Sequence, residues 1–174
     1  MRVHRVAGRA RASSGDRLTY ERTGAEEVVV TSCAEDGWAH DLDALADLIR
    51  PATRLLYLNQ PHNPTGTLMA RPVLEHVIEL ARAHGLVVFS DEVYRELEHD
   101  PAGRLPPACD LYERAVSLGS ISKSYGLPGL RIGWIATRDS VLRDAVSTLS
   151  TDGAESRMRA ARMVCARSLL VSRA

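Results

Sequence analysis

Apolar and polar positions along the chain fall into short runs whose period alternates between that of a strand and that of a helix. Glu27–Thr31 (EVVVT) reads as a short strand, followed by a polar turn through Asp36 and Gly37. Asp41 is positioned to cap a helix over Leu42–Arg50, with Leu42, Leu45, Ala46 and Ile49 on one face and Pro51 as its stop. Arg54–Asn59 (RLLYLN) is a compact apolar strand, ended by the Pro- and Gly-rich stretch Pro61–Gly66. A helix is expected over Arg71–His84, with the stripe Val73, Leu74, Val77, Ile78 and Ala81. Pro72 suits its first turn and Gly85 the position just past its end. Leu86–Ser90 (LVVFS) is almost continuously apolar, as expected of a strand buried on both faces. After the Pro-rich loop Pro101–Pro107, strands are expected at Ala115–Gly119 and Ile132–Thr137, then helices over Ser140–Leu149 and Glu155–Leu170. Residues 1–19 show neither period.

Strands alternating with helices predict an α/β fold with a mainly parallel sheet and flanking helices, its ligand chemistry at strand C-terminal ends. The 174 residues suffice for one ordinary domain with its own core. Basic and acidic residues balance at 22 each, so charge makes no case for nucleic acid or an anionic membrane as partner. No apolar run approaches the ~20 residues that span a bilayer. The early arginines Arg2, Arg5, Arg9, Arg11 and Arg17 lack the apolar segment of a secretory signal. Cys33, Cys109 and Cys165 are odd in number and far apart, which suggests neither a disulfide framework nor a zinc site. A reducing cytoplasm is the expected compartment.

Among the 22 basic residues, 21 are arginine and Lys123 is the only lysine. An arginine guanidinium stays protonated, whereas a lysine amine can lose its proton and attack a carbonyl. Three polar clusters stand where strands end. In Asn59-Gln60-Pro61-His62-Asn63-Pro64-Thr65-Gly66, two prolines and a glycine fix a tight backbone around Asn63, although an ordinary turn has the same ingredients. In Ser90-Asp91-Glu92-Val93-Tyr94, a carboxylate follows the most apolar strand, where it needs a cation or serves as a helix cap. The third, Ser117 to Trp134, combines the hydroxyls of Ser120 and Ser122, several glycines and Arg131 around Lys123, a good cradle for a phosphate.

The sequences HNPTG, SDEVY and SISKSYGLPGLRIGW, in that order, resemble the core of the class I/II aminotransferases of fold type I, which bind pyridoxal phosphate (PLP). The spacings agree: 28 residues from Asn63 to Asp91, 32 from Asp91 to Lys123 and eight from Lys123 to Arg131. GAEEVVV (Gly24–Val30) and DGW (Asp36–Trp38) extend the likeness over roughly residues 20–150. The resemblance implies a PLP-binding large-domain core at 24–150, preceded by an atypical, poorly ordered segment at 1–23. A helical stub at 151–174 would lead toward a small domain. It implies that Lys123 holds PLP as a Schiff base and then acts as general base at the substrate Cα. Asp91 would pair with the pyridine nitrogen, Asn63 and Tyr94 would bond the phenolate oxygen, and Ser120, Ser122 and Arg131 would hold the phosphate. It further implies a cis Asn63–Pro64 bond, amino acid and 2-oxo acid substrates, and a homodimer with shared sites.

By the same resemblance a complete enzyme is about twice as long. It adds a Gly-containing phosphate loop at a helix N-terminus, a ring-stacking aromatic residue and an arginine for the substrate carboxylate. Arg157, Arg159, Arg162, Arg167 and Arg173 fall at helix-like spacings and are not assigned that last role. Amino-group transfer has two alternatives: an inactive truncated remnant, and elimination with cyclisation as in capreomycidine synthase-like enzymes, whose GLPGLRIGW segment is similar. No metal is expected. Glu96, Glu98, His99 and Asp100 lack a rigid ligand spacing and read as a solvated charge run, and His76 and His84 read as surface residues.

Overall fold

A computed structural model describes residues 2–6, 26–30, 38–152, 159–164 and 169–173, with side chains described over 38–146. Eight strands form one sheet: β1 (Arg2–Val6), β2 (Glu26–Val30), β3 (Thr53–Asn59), β4 (Val87–Asp91), β5 (Ala115–Ser120), β6 (Ile132–Thr137), β7 (Arg159–Val164) and β8 (Leu169–Arg173). Their order is β2-β1-β3-β4-β5-β6-β8-β7. The first five run parallel, while β6, β8 and β7 join by antiparallel pairing. Among the described residues four α-helices accompany them: α1 (Leu42–Leu48), α2 (Arg71–Ala83), α3 (Ala108–Leu111) and α4 (Ser140–Asp152).

Local chemistry explains the helices. Asp41 caps α1 by accepting from the Ala44 N–H at 2.8 Å, filling one of the unpaired donors of a helix start. Helix α2 carries Pro72 in its first turn and buries Leu74, Val77, Ile78 and Ala81, a stripe at helical spacing. Gly85 ends it at φ +61°, a left-handed conformation that a Cβ disfavours. That stripe meets one face of the sheet, Leu56 and Leu58 of β3, Val88 of β4 and Ala115 of β5, with Leu45 and Tyr112 completing the core. Tyr112 is 1% exposed; its hydroxyl donates to the Leu86 carbonyl at 3.0 Å and the Arg82 guanidinium lies 4.7 Å from its ring centre.

The central strands and α2 fall where the hydrophobic pattern puts them, but three expectations need correction. Residues 159–164 and 169–173 are strands and not part of a helix over 155–170. The exposed edge of β6 offers a row of backbone donors and acceptors, and β8 takes it up from Ile132↔Arg173 to Ala136↔Leu169. Arg2–Val6, too short to show a period, is a strand because β2 and β3 pair with it on both sides. Burial of β4 alternates, with Val88 and Ser90 buried and Val87, Phe89 and Asp91 half-buried, so the second face is not sealed. The four-residue helix α3 follows directly on Pro106 and Pro107, in a stretch to which the hydrophobic pattern assigns no element. The expected turn at Asp36 and Gly37, and most of 1–23, lie outside the described residues. Among the described residues no helix is long and apolar enough to cross a membrane.

Candidate active site

The three polar clusters converge because β3, β4 and β5 are parallel neighbours and therefore end at the same edge. Register pairs Asn59 with Asp91 and Asp91 with Leu118, two residues before β5 ends at Ser120. Side chains alternate across a strand. Tyr57 and Asn59, Phe89 and Asp91, Leu118 and Ser120 thus belong to one sheet face, opposite the one that packs on α2.

After β3 the chain turns through cis Gln60–Pro61 and cis Asn63–Pro64 bonds, the second as expected. The turn is closed by His62 N–H to the Thr67 carbonyl and Gly66 N–H to the His62 carbonyl, both 2.8 Å. A side-chain relay stiffens it, His62 Nδ1 to Thr65 Oγ1 at 2.7 Å and Thr65 Oγ1 to Thr67 Oγ1 at 2.8 Å. Asn63 is left exposed at the tip, on the wall of a cleft of about 420 Å³ shared with Pro64, Leu68, Tyr94 and Leu97.

At the end of β4 two adjacent carboxylates separate to opposite faces. Asp91 accepts from the Val93 N–H at Oδ1 (3.1 Å) and from the Tyr57 hydroxyl at Oδ2 (3.3 Å). It caps no helix: the chain continues as turns, with Arg95 N–H on the Glu92 carbonyl and Leu97 N–H on the Tyr94 carbonyl. Glu92 points into the core, where its Oε1 accepts from Ser117 Oγ (2.7 Å) and the Ala108 N–H (2.9 Å). Burial pushes its carboxyl above the ordinary carboxylate range, against the opposing pull of these donors. Burial likewise pushes the neighbouring Cys109 thiol up, which makes it a poor nucleophile. Asn59, 8% exposed beside Asp91, carries a buried Oδ1 with no hydrogen-bond partner among the described residues.

After β5 the chain makes a closed excursion, leaving at Ile121, whose N–H bonds the Ile132 carbonyl, and turning where Gly126 N–H bonds the Lys123 carbonyl. Ser120 Oγ and Ser122 Oγ share a short hydrogen bond, and the Ser122 N–H donates to Ser120 Oγ at 3.0 Å. Ser124 ties this excursion to the turn after β4 by donating to the Arg95 carbonyl and, at 3.4 Å, to that of Val93. The tie brings the Lys123 amine to 5.6 Å from the ring centre of Tyr94. Arg131 enters β6 from a left-handed conformation (φ 52°) and is exposed; among the described residues no hydrogen bond or ion pair holds its guanidinium. Its neighbour Ile132, the first residue of β6, accepts from the Ile121 N–H, which closes the excursion just before Arg131.

The structure thus sets Lys123 against the Tyr94 ring, bonds Ser120 to Ser122 and holds Asp91 through Tyr57; Asn63 and Tyr94 line one cleft, while Ser120 lines another with Ser124. The chain matches the family model "Aminotransferase class I and II" over residues 20–162. The chain belongs to this family. The class I and II aminotransferase match is supported by arginine–pyruvate transaminase of Pseudomonas aeruginosa, 40% identical over 126 residues that make up 68% of this chain and 31% of that protein. Capreomycidine synthase of Streptomyces vinaceus is 36% identical over 112 residues, 64% of this chain and 28% of that protein. A PLP-dependent aminotransferase from Streptococcus suis superposes with a TM-score of 0.75 at 32% identity, covering 87% of this chain and 38% of that one. N-Succinyldiaminopimelate aminotransferase from Mycobacterium tuberculosis gives 0.74 at 32%, covering 84% and 38%. The chain matches about a third of the length of the curated relatives. Its mainly parallel sheet with flanking helices is the fold-type I architecture of these structures.

Sequence reasoning passed over Tyr57, Ser124 and the Glu92–Ser117 pair. Tyr57 sits in an apolar strand and Ser124 in a polar loop, so neither carries a local signal. Glu92 does carry one, since of two consecutive carboxylates at a strand end only one can face the site. The acidic run after SDEVY is engaged by arginine: Arg104 meets Glu98 at 3.1 Å and Glu96 at 3.9 Å.

Proposed function

We propose that this chain binds pyridoxal phosphate at the common edge of β3, β4 and β5 and serves amino-group transfer between an amino acid and a 2-oxo acid. The observation that carries the proposal is the convergence there of an amine beside a phenol ring, Lys123 at 5.6 Å from Tyr94, with a carboxylate and a hydroxyl pair. Residue chemistry fits the cofactor. Its pyridine nitrogen, when protonated, is a cation that the half-buried Asp91 can pair with, and Oδ1 of Asn59, without a partner among the described residues, adds a buried acceptor beside it. Bound there, the cofactor supplies an electron sink for charge developing at the substrate Cα.

Each residue then has a role that its own chemistry allows. Asp91 keeps the ring nitrogen protonated. Asn63 and Tyr94 hydrogen-bond the phenolate oxygen and orient the ring. Ser120 and Ser122 offer hydroxyls to the phosphate, and Arg131 offers a forked guanidinium to the same group. Lys123, the only lysine, supplies the amine for the cofactor's aldehyde carbon and serves as the base that moves the proton at Cα. The same reading supplies a second copy of the chain as partner in a homodimer.

The test is a titration of the purified chain with pyridoxal phosphate, following the visible absorbance of the bound cofactor, beside a Lys123→Ala control. A saturable absorbance change in the parent that the control lacks is expected; equal spectra for the two chains would refute the proposal. The similarity to capreomycidine synthase supports a second reading, elimination followed by cyclisation. Product analysis separates the two, because only transfer releases a 2-oxo acid from the amino donor.

A further inference from the structure

Tyr57 stands among the leucines of β3, between Leu55-Leu56 and Leu58. It is 9% exposed, and its ring stacks on Phe89 of the adjacent strand with centroids 5.9 Å apart and planes 9° from parallel. Phenylalanine would fill the same volume. A buried hydroxyl is costly without a partner, and this one reaches diagonally across the strand pair to Asp91 Oδ2 at 3.3 Å. Stacking on Phe89 denies the ring a swing that would carry the hydroxyl away. Asp91 Oδ1 is fixed separately by the Val93 N–H at 3.1 Å. Each carboxylate oxygen therefore has its own donor, one from the backbone of the following turn and one from the neighbouring strand. The Tyr57 and Val93 donors set the direction of the carboxylate, whose ionised form carries about four acceptor sites and attracts a cationic N–H.

We propose that Tyr57 is a positioning residue: its phenol fixes the orientation of the Asp91 carboxylate that pairs with the cofactor's ring nitrogen. The inference rests on the function proposed above and adds to it a residue outside the three motifs. Tyr57 touches neither substrate nor cofactor in this role. It acts through Asp91, by removing the rotational freedom that the carboxylate would otherwise give up on binding.

A purely structural tyrosine predicts the same loss for any ligand of the site, whereas positioning through Asp91 predicts a loss that depends on the ring nitrogen. The probes are pyridoxal phosphate and its analogue with C–H in place of that nitrogen, titrated into the parent chain, Tyr57→Phe, Asp91→Ala and the double variant. Tyr57→Phe keeps the ring on Phe89, and its unfolding midpoint checks that the fold is intact. We expect Tyr57→Phe to weaken pyridoxal phosphate binding about tenfold, which is about 1.4 kcal/mol, the size of one hydrogen bond to a charged group. Its affinity for the analogue should stay unchanged, and in the Asp91→Ala background the substitution should have no further effect on pyridoxal phosphate. Equal losses for both ligands, or none for either, overturn the inference while leaving cofactor binding intact. A parent chain that forms no Lys123-dependent complex overturns the underlying function and this inference together.

Discussion

Replacing Gly119 by alanine tests how closely β5 and β6 are packed at the point where the site begins. Register pairs Gly119 with Trp134, and a Cβ built on Gly119 would stand 2.3 Å from Trp134 Cε2 and 2.4 Å from both Cζ2 and Nε1. Contacts that short cannot persist, so either the indole swings out or the strands separate. Overpacking of this kind costs roughly 1–3 kcal/mol. Against it stands the about 0.4–1 kcal/mol that Gly→Ala contributes by restricting the unfolded chain. A net loss of about 1–2 kcal/mol is therefore expected for Gly119→Ala. Urea denaturation of the parent, Gly119→Ala, Trp134→Ala and the double variant measures it. Removing the indole removes the three closest contacts of the new Cβ, so in the Trp134→Ala background the alanine should be neutral or slightly stabilising, a coupling of about 1–3 kcal/mol. The same loss in both backgrounds, or a parent-background change within about 0.5 kcal/mol of zero, would refute the packing argument. Because Ser120 is the next residue, a displaced β5 should also disturb the Ser120–Ser122 hydroxyl pair.

Three further outcomes are expected from the same geometry. Glu92, with its carboxyl pushed up by burial, binds more protons folded than unfolded between the ordinary carboxylate range and its raised value, so stability falls as pH rises through that window. Glu92→Gln should flatten that fall, read as urea midpoints from about pH 4 to about pH 8, and a parent and variant with parallel profiles would contradict it. Tyr112→Phe removes the donor to the buried Leu86 carbonyl and should cost about 1 kcal/mol, while Tyr112→Ala also opens a cavity and should cost about 3–5 kcal/mol in the same denaturation assay. Ser124→Ala cuts the tie from the Lys123 excursion to the turn after β4, and hydrogen exchange at the Gly126 amide should quicken while that at Val88 in the core does not.

What could be read from the chain alone was what local chemistry decides. RLLYLN, LVVFS and AVSLG are apolar runs closed by Pro, Gly and small polar residues, and each is a strand of the structure. Asp41, Pro72 and Gly85 mark helix boundaries because capping and φ preferences act over a few residues. What depends on distant partners was not legible. Arg159–Val164 and Leu169–Arg173 have arginines at helical spacings, yet an open strand edge on β6 recruits them into the sheet. Arg2–Val6 is a strand only through its two neighbours. Within the site, Asp91 and Lys123 stood out by residue type, but Tyr57 meets Asp91 across 34 positions of sequence and looks like one more apolar strand residue. Ser124 holds the two loops together across 29 positions and gives no sign of it in its own neighbourhood.

The central claim is that Lys123 is the amine that takes up the cofactor. Its most direct test is reduction of the purified chain with borohydride in the presence of pyridoxal phosphate, followed by peptide mapping for the attached pyridoxyl group. The account predicts that the label is on Lys123 and that Arg131→Ala, by removing a phosphate ligand, raises the cofactor concentration needed for half-maximal labelling. A chain that carries no label on Lys123, or takes up label only at its terminal amine, would contradict it.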